Sequence, residues 1–194
     1  KTLPGNTSKT LWTQFHGIKE LPQYVNPNSG FLFNTNHSSF YATGEKDNLS
    51  VNQFPKQNGW ETNHNNRSVR FLELFPQEKK VDFGLFKKIK FDRQLPAKLQ
   101  YPYGIDSILM MTAKEYPQYD TLLNNLNAWD KSGDPSSKGA AVFLLIYENV
   151  AASMRGKDPQ MLTKAQSEQV IESVKSYMVK NFGTTDLRLG DIQK

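Results

Sequence analysis

An uninterrupted apolar run at residues 140–147, AAVFLLIY, most constrains what this chain can fold into. A serine that can cap a helix, Ser136 or Ser137, precedes the run and predicts a helix start there. Because the run is apolar all round, we expect this helix to be buried on most of its sides. The run is far too short to span a bilayer, so no membrane partner is expected.

Helical patterns begin well before this run, at about residue 63. Val69, Leu72 and Phe75 fall near one face of a short helix. Residues 106–114 and 119–129 form two further helical pieces, which are separated at a proline. The chain from here to its end is therefore predicted to be mainly helical.

The last predicted helix has the clearest boundaries. Thr163 and Gln166 form a T-x-x-Q capping box at its start, and Gly183 occupies a position typical of a left-handed C-terminal cap. One apolar stripe repeats at i, i+4 and i+8 and consists of Val170, Val174 and Met178. These signals predict a helix with one buried face.

The first part of the chain is rich in Asn, Gly, Pro, Ser and Thr. Residues 11–15 and 30–36 have strand character, and residues 38–60 are typical of a long loop, which in a compact fold is often functional. Two short strands cannot make a stable sheet alone. We therefore expect their edges to pair with a sheet elsewhere in a longer protein. We predict an α+β fold, with a strand and loop segment at residues 1–62 and a helical region at residues 63–194.

Composition and charge exclude several classes of site. The chain has no cysteine, which excludes disulfides, thiolate metal sites and a cysteine nucleophile within it. His16, His37 and His64 have no paired spacing, which argues against zinc. The net charge of +5 permits a nucleic-acid partner, but the densest basic stretch, residues 78–93, is interrupted by acidic residues. That stretch is typical of a solvated helical face, so no nucleic-acid partner is expected.

One segment carries residues suited to chemistry. Residues 21–37 form a turn-rich approach to a strand that ends in Asn-x-Asn, at Asn34 and Asn36. The asparagine carboxamide offers two uncharged N–H donors, and at a strand end it can point at a developing oxyanion. The alternative is that both asparagines cap turns or satisfy the loop backbone.

The same segment resembles the penicillin acylase family, which includes the acyl-homoserine-lactone acylases. Members carry P-x-x-x-N-P-x-x-G, matched here from Pro22 to Gly30, and then a strand that ends in N-x-N-N, matched at residues 34–37. The resemblance spans nearly the whole chain, because further family stretches occur in the family's order at Leu3-Pro4-Gly5, Leu11-Trp12 and residues 67–74, 126–140 and 189–193.

The resemblance implies an N-terminal-nucleophile hydrolase with an αββα fold, and this chain as an internal piece of its β-subunit. In that family the nucleophile is a serine or threonine at the N-terminus of the β-subunit, and its own α-amine is the base. Lys1 is not such a residue, so we expect the nucleophile upstream and this piece to be inactive alone. The implied reaction is hydrolysis of the linear amide bond of an N-acyl substrate, penicillin-like or an acyl-homoserine lactone, through an acyl-enzyme.

The resemblance also implies partners and a location. The partners are the rest of the same precursor, namely the α-subunit and the N-terminal part of the β-subunit, together with a small N-acyl amide substrate. The location is periplasmic or extracellular, with a role in antibiotic metabolism. No cofactor is required, although some members bind a structural calcium ion that joins the two subunits.

The resemblance implies a role for each of three residues. Asn36 matches the oxyanion-hole asparagine, and Arg67, at the start of the helix after the loop, matches an arginine that orients groups near the nucleophile's amine. Asp47 lies about ten residues after Asn36, where a carboxylate binds the calcium ion in some members. A solvated loop aspartate is the alternative at that position. The sequence departs from the family at the fourth motif position, where His37 replaces asparagine.

A second function class also fits the residues. Trp12, Trp60 and Trp129, combined with an Asn-rich polar loop, suit an extracellular binding module for a glycan or a protein partner. The upstream reading frame discriminates between the two classes, because an acylase needs a self-cleaving junction followed by serine or threonine.

Overall fold

The computed structural model describes residues 3–11, 13–75, 80–101, 104–154 and 161–193. Lys1 and Trp12, which the sequence analysis singled out, lie outside the described residues. The chain divides into two compact units, Lys1–His64 and Asn65–Lys194, and each is described by itself.

The second unit contains the α-helices of the described residues. In chain order they are α1 (Asn66–Leu74), α2 (Phe83–Lys90), α3 (Asp106–Leu109), α4 (Asp120–Asn127), α5 (Lys138–Met154), α6 (Lys164–Phe182) and α7 (Leu189–Ile192). The predicted helical region is thus confirmed as mainly helical.

Helix α5 is the centre of this unit and packs against α4, α6 and α7. Ile146 and Val150 on α5 are fully buried, as the apolar run predicts. The core is completed by buried residues of the neighbouring helices, among them Ile108, Leu122, Leu123, Val170, Val174 and Met178. The stripe predicted for α6 is therefore its buried face.

Side-chain caps define where the two long helices begin. The Ala140 N–H donates to Ser137 Oγ at 3.1 Å at the start of α5. At the start of α6 the Gln166 N–H donates to Thr163 Oγ1 at 3.3 Å, and the Thr163 N–H donates to Gln166 Oε1 at 2.9 Å. Gly183 ends α6 in the left-handed conformation, with φ of 75°. The predicted caps are confirmed.

The predicted helical pieces on either side of Pro117 are shorter than expected. Helix α3 ends at Leu109, because the Met111 N–H already donates to the Ile108 carbonyl three residues back. Pro117 opens a 3-10 helix, Pro117–Tyr119, which leads directly into α4. The proline separates the two pieces, as expected for a residue without an N–H.

The first unit consists of turns and short 3-10 helices around a small aromatic core. Phe40 is 3% exposed, and its ring lies 5.5 Å from the Phe54 ring and 6.0 Å from the Trp60 ring. The 3-10 helices are Ser8–Thr10, Ile18–Glu20, Ser39–Tyr41, Glu45–Asp47, Val51–Gln53 and Lys56–Asn58.

The strands predicted at residues 11–15 and 30–36 are wrong for the described residues, which contain only isolated bridges, Gln94 with Ser132 and Gly104 with Met161. The reason is the lack of a neighbouring strand, since extended backbone becomes a strand only when a ladder satisfies its N–H and C=O groups. In residues 31–37 the side chains still alternate between half-buried and exposed, which is the period of a strand. The strand part of the predicted α+β class is therefore not formed here.

The family stretches in the second unit contribute to helix packing and to backbone hydrogen bonds between loops and helices. A Cβ on Gly139 would overlap the Trp129 side chain and lie 2.7 Å from the Asn125 carbonyl oxygen. Near the end of the chain, the Gly190 N–H donates to the Pro135 carbonyl at 2.8 Å and the Leu189 N–H donates to the Ser137 carbonyl at 3.0 Å. These contacts join the L-G-D-x-Q stretch to the loop that precedes α5.

In the described residues, no helix is both long enough and apolar enough to cross a membrane.

Candidate functional site

Asn36 directly follows residues 31–35, whose side chains alternate between half-buried and exposed, and its backbone is left-handed, with φ of 55°. Asparagine is among the few residues that adopt this conformation readily. The Asn36 N–H donates to Asn34 Oδ1 at 2.8 Å, so the Asn34 side chain closes the turn. Asn34 thus has the turn role that the residues alone allowed, while the Asn36 side chain is exposed.

His37 is held at both ring nitrogens. Nδ1 accepts from the Thr35 N–H at 3.2 Å and lies 3.0 Å from the Thr35 hydroxyl. Nε2 lies 2.9 Å from the Tyr41 carbonyl oxygen, which can only accept, so Nε2 carries the hydrogen. The surrounding backbone therefore specifies one tautomer of the His37 ring.

An aromatic stack surrounds His37. The centre of its ring lies 4.7 Å from that of Phe33. The ring of His64 is nearly parallel to the His37 ring, with centres 6.3 Å apart. The Tyr41 and His64 rings stack at 4.0 Å. Burial, followed by the nearby His37, lowers the pKa of His64. No local sequence pattern indicates this stack, because His37 and His64 are far apart in the chain.

Two buried hydroxyls hold the backbone around Asn36. Ser38 Oγ donates to the Glu61 carbonyl at 2.5 Å and accepts from the Phe40 N–H at 3.2 Å. Thr43 Oγ1 donates to the Phe31 carbonyl at 2.7 Å. Both residues are almost fully buried, and their hydroxyls bond to the backbone, so Ser38 is a structural serine and not a nucleophile.

Asp47 tethers the turn at residues 28–30 to the loop that follows Asn36. Its carboxylate accepts hydrogen bonds from the Ser29 N–H at 2.5 Å, from the Ser29 hydroxyl and from Asn28 Nδ2 at 3.3 Å. These bonds, first the one from the Ser29 hydroxyl, lower the pKa of Asp47. Gly44 lies so close that a Cβ there would overlap the Ser29 side chain.

This donor set fits a calcium site poorly. Calcium needs six to eight oxygen ligands, whereas both Asp47 oxygens face hydrogen-bond donors. Within the described part of the chain, no group of three or more His, Cys, Asp or Glu side chains is placed to hold a metal ion. The geometry suits a loop tether, and calcium binding at Asp47 stays a prediction.

Arg67 belongs to the second unit and lies in the first turn of α1. Asn65 caps this helix by accepting the Ser68 N–H at 2.9 Å, and Ser68 Oγ accepts the Asn65 N–H at 3.0 Å. Arg67 is exposed, at the helix start that the sequence predicted for it.

Arg70, one turn later, has a structural role that the sequence analysis missed. Its Nε donates to Asp92 Oδ2 at 2.8 Å and its Nη2 donates to Asp92 Oδ1 at 3.1 Å. This two-pronged pairing raises the pKa of Arg70 and lowers the pKa of Asp92. Arg70 is half-buried in this pairing, whereas Arg67 is exposed.

The family model for penicillin amidase matches residues 1–190 of the 194-residue chain. The match covers the first unit, all but the last four residues of the second unit, and all three residues to which the resemblance gave roles, Asn36, Asp47 and Arg67. The predicted resemblance is confirmed, and the chain belongs to the penicillin amidase family, a family of hydrolytic enzymes.

Proposed function

We propose that this chain is part of an acylase that hydrolyses the amide bond of an N-acyl substrate through an acyl-enzyme, with Asn36 as an oxyanion donor. The observation that carries this proposal is the conformation of Asn36. Its backbone is left-handed, its neighbours on both sides are hydrogen-bonded, and its side chain is exposed. The held backbone sets where the Asn36 side chain begins, and its carboxamide provides N–H donors suited to an oxyanion.

The chemistry of the proposed reaction divides between this chain and the rest of the enzyme. The hydroxyl of an N-terminal serine or threonine, expected upstream, attacks the amide carbon and gives its proton to its own α-amine. The carbonyl oxygen becomes an oxyanion and accepts a hydrogen bond from Asn36 Nδ2. The C–N bond then breaks, the amine leaves with the proton, and water hydrolyses the ester that remains.

Arg67 has a supporting role in this proposal. Its guanidinium is always charged and presents donors in a fixed fork, which can orient groups near the amine that acts as base. The exposed position in the first turn of α1 supports this role, because it leaves the side chain accessible from solvent. We place the enzyme in the periplasm or outside the cell.

The binding-module alternative receives no support from the described tryptophans. Trp60 packs edge-on against Phe40 in the core of the first unit. Trp129 packs against Phe143 with ring centres 4.5 Å apart, and its Nε1 donates to the Ser132 carbonyl at 2.9 Å. These two residues contribute to packing and do not form an exposed aromatic platform. Trp12 lies outside the described residues.

The test uses the whole enzyme that contains this chain. It is incubated with a phenylacetyl amide, a long-chain acyl-homoserine lactone and a glycan panel, and products and covalent adducts are measured by mass spectrometry. We expect equal amounts of acid and amine, and an acyl adduct on a residue outside this chain. Glycan binding without acid release would overturn the proposal. So would amide hydrolysis by the isolated 194-residue chain, since we expect that chain to be inactive.

A further inference from the structure

We infer that His37 is a positioning residue, which holds Asn36 in the conformation that presents its carboxamide. This inference rests on the proposed function of Asn36. The ring of His37 joins the residue before Asn36 to the 3-10 helix after it, because Nδ1 bonds to Thr35 and Nε2 bonds to the Tyr41 carbonyl. The chain is thereby clamped on both sides of Asn36.

The far end of this clamp is anchored in the core of the first unit. Tyr41 is the last residue of the 3-10 helix Ser39–Tyr41, whose middle residue, Phe40, is 3% exposed. The Ser38 hydroxyl caps the start of the same helix and also donates to the Glu61 carbonyl. Because the His37 ring is hydrogen-bonded to this helix, it holds the turn at Asn36 in a defined position relative to the core of the first unit.

Stacking restricts the ring as well. His37 is half-buried, with the Phe33 ring 4.7 Å away at an interplanar angle of 23°, and with His64 nearly parallel at 7°. These neighbours limit rotation of the ring, while the two hydrogen bonds set its direction. Asn36 itself has the left-handed backbone that most residues avoid, so a restraint on both flanks favours one conformation over the extended alternatives.

Both nitrogens of His37 are engaged with the backbone, which argues against direct acid–base chemistry by this ring. Nδ1 has Thr35 as donor, and Nε2 uses its hydrogen for Tyr41. A ring arranged in this way has no lone pair or hydrogen left for a substrate. We therefore assign His37 a role through Asn36 and not a role at the reacting atoms.

Four substitutions separate the two hydrogen bonds from the stacking. His37→Asn places an acceptor near the position of Nδ1, and His37→Gln places a donor near the position of Nε2. His37→Phe retains an aromatic ring but makes neither hydrogen bond, and His37→Ala removes both the ring and the two hydrogen bonds. His16→Ala is the matched control, because His16 is an exposed histidine of the same unit.

The readout is kcat and KM of the correctly processed whole enzyme with one N-acyl amide. We expect His37→Phe and His37→Ala to lower kcat about tenfold, with KM within about twofold, since misplaced catalytic groups act on the transition state. The Asn and Gln variants should recover part of the loss, and His16→Ala should match the parent. If His37→Ala does not fold, the comparison of the Phe, Asn and Gln variants decides the outcome.

A double-mutant cycle distinguishes this inference from the proposed function. In an Asn36→Ala background, His37→Phe should lower kcat no further, because the group it positions is gone. If Asn36→Ala alone leaves kcat unchanged, the proposed function fails. If Asn36→Ala lowers kcat but His37→Phe does not, or if the two losses multiply, Asn36 keeps its role and the positioning role of His37 is overturned.

Discussion

At Gly139 a hydrogen atom in place of a methyl group allows α5 to approach Trp129 closely. The site of a Cβ there is already occupied by the Trp129 side chain, and the backbone carbonyl of Asn125 on α4 is 2.7 Å away. A tryptophan stem and a helix backbone cannot move without repacking α4 against α5. The glycine of the S-x-G-A stretch is therefore required by helix packing.

Gly139→Ala should destabilise the chain by roughly 1–3 kcal/mol or more, as overpacking of a well-packed core does. The measurement is urea unfolding of the chain, followed by circular dichroism. The control is Gly84→Ala on the exposed helix α2, where the nearest atom to an added Cβ is a side-chain oxygen of Asp82 at 3.3 Å. We expect no loss there, or a gain of up to about 1 kcal/mol from the better helix former. Equal effects of the two substitutions would contradict the packing account.

Residue-level signals predicted only part of the candidate site. The roles of Asn36 and Arg67 were assigned from their motif positions and stay predictions, and the structure adds that Asn34 closes the turn beside Asn36. The His37–His64 stack and the Arg70–Asp92 pair could not be predicted, because each joins residues more than twenty positions apart. Contacts of this kind depend on tertiary structure and leave no local pattern.

At the scale of elements, helices were predictable because their signals are local. Helix α6 begins at a reciprocal cap and ends at a left-handed glycine, and both signals lie within a few residues of the ends they define. Residues 31–35 have the side-chain alternation of a strand, and the Phe33 N–H donates to the Ala42 carbonyl at 3.0 Å, but the described residues form no ladder there. Strand formation depends on a neighbouring strand, which is often distant in sequence or on another chain, so the sequence pattern alone could not decide it.

Thr163→Ala should cost about 1 kcal/mol of stability, because the Gln166 N–H would lose its acceptor at the start of α6. Ser173→Ala on the exposed face of α6 is the control, since the Ser173 hydroxyl donates to the Gln169 carbonyl of its own helix and caps no N–H at the start of that helix. Chemical unfolding of both variants measures the difference. If both lose the same free energy, the cap does not stabilise α6 as described.

For the whole molecule, His64 should contribute to the pH dependence of stability near neutrality. Burial and the neighbouring His37 lower the pKa of His64 from its ordinary value of 6.5. As the pH falls through 6.5, the unfolded chain therefore takes up this proton before the folded chain does. The contribution of neutral His64 to the free energy of unfolding is fully present above pH 6.5. It is lost as the pH falls to the lowered pKa of His64 in the folded state.

We expect the midpoint of thermal unfolding to fall between about pH 7.5 and pH 5 in the parent chain. His64→Phe retains a ring against Tyr41 but cannot titrate, so the midpoint should fall less over the same range. Carboxylates whose pKa is lowered, such as Asp47 and Asp92, titrate below this window and do not confuse the comparison. An unchanged pH dependence in His64→Phe would show that other groups cause it.

The chain as a whole belongs to a hydrolytic family, and its proposed contribution to the reaction depends on one carboxamide. Asn36 has a left-handed backbone and lies between a turn closed by Asn34 and a ring held by Thr35 and Tyr41. If this arrangement presents an oxyanion donor, its effect must fall on the formation of the acyl-enzyme.

The most direct test is therefore the single-turnover acylation rate of the correctly processed whole enzyme carrying Asn36→Ala. The account predicts a loss on the order of 10²–10³, as for removal of one oxyanion donor. Asn52→Ala, at an exposed asparagine of the same unit, should acylate at the parent rate. An Asn36→Ala enzyme that acylates within about threefold of the parent would contradict the assignment of Asn36 to the oxyanion hole.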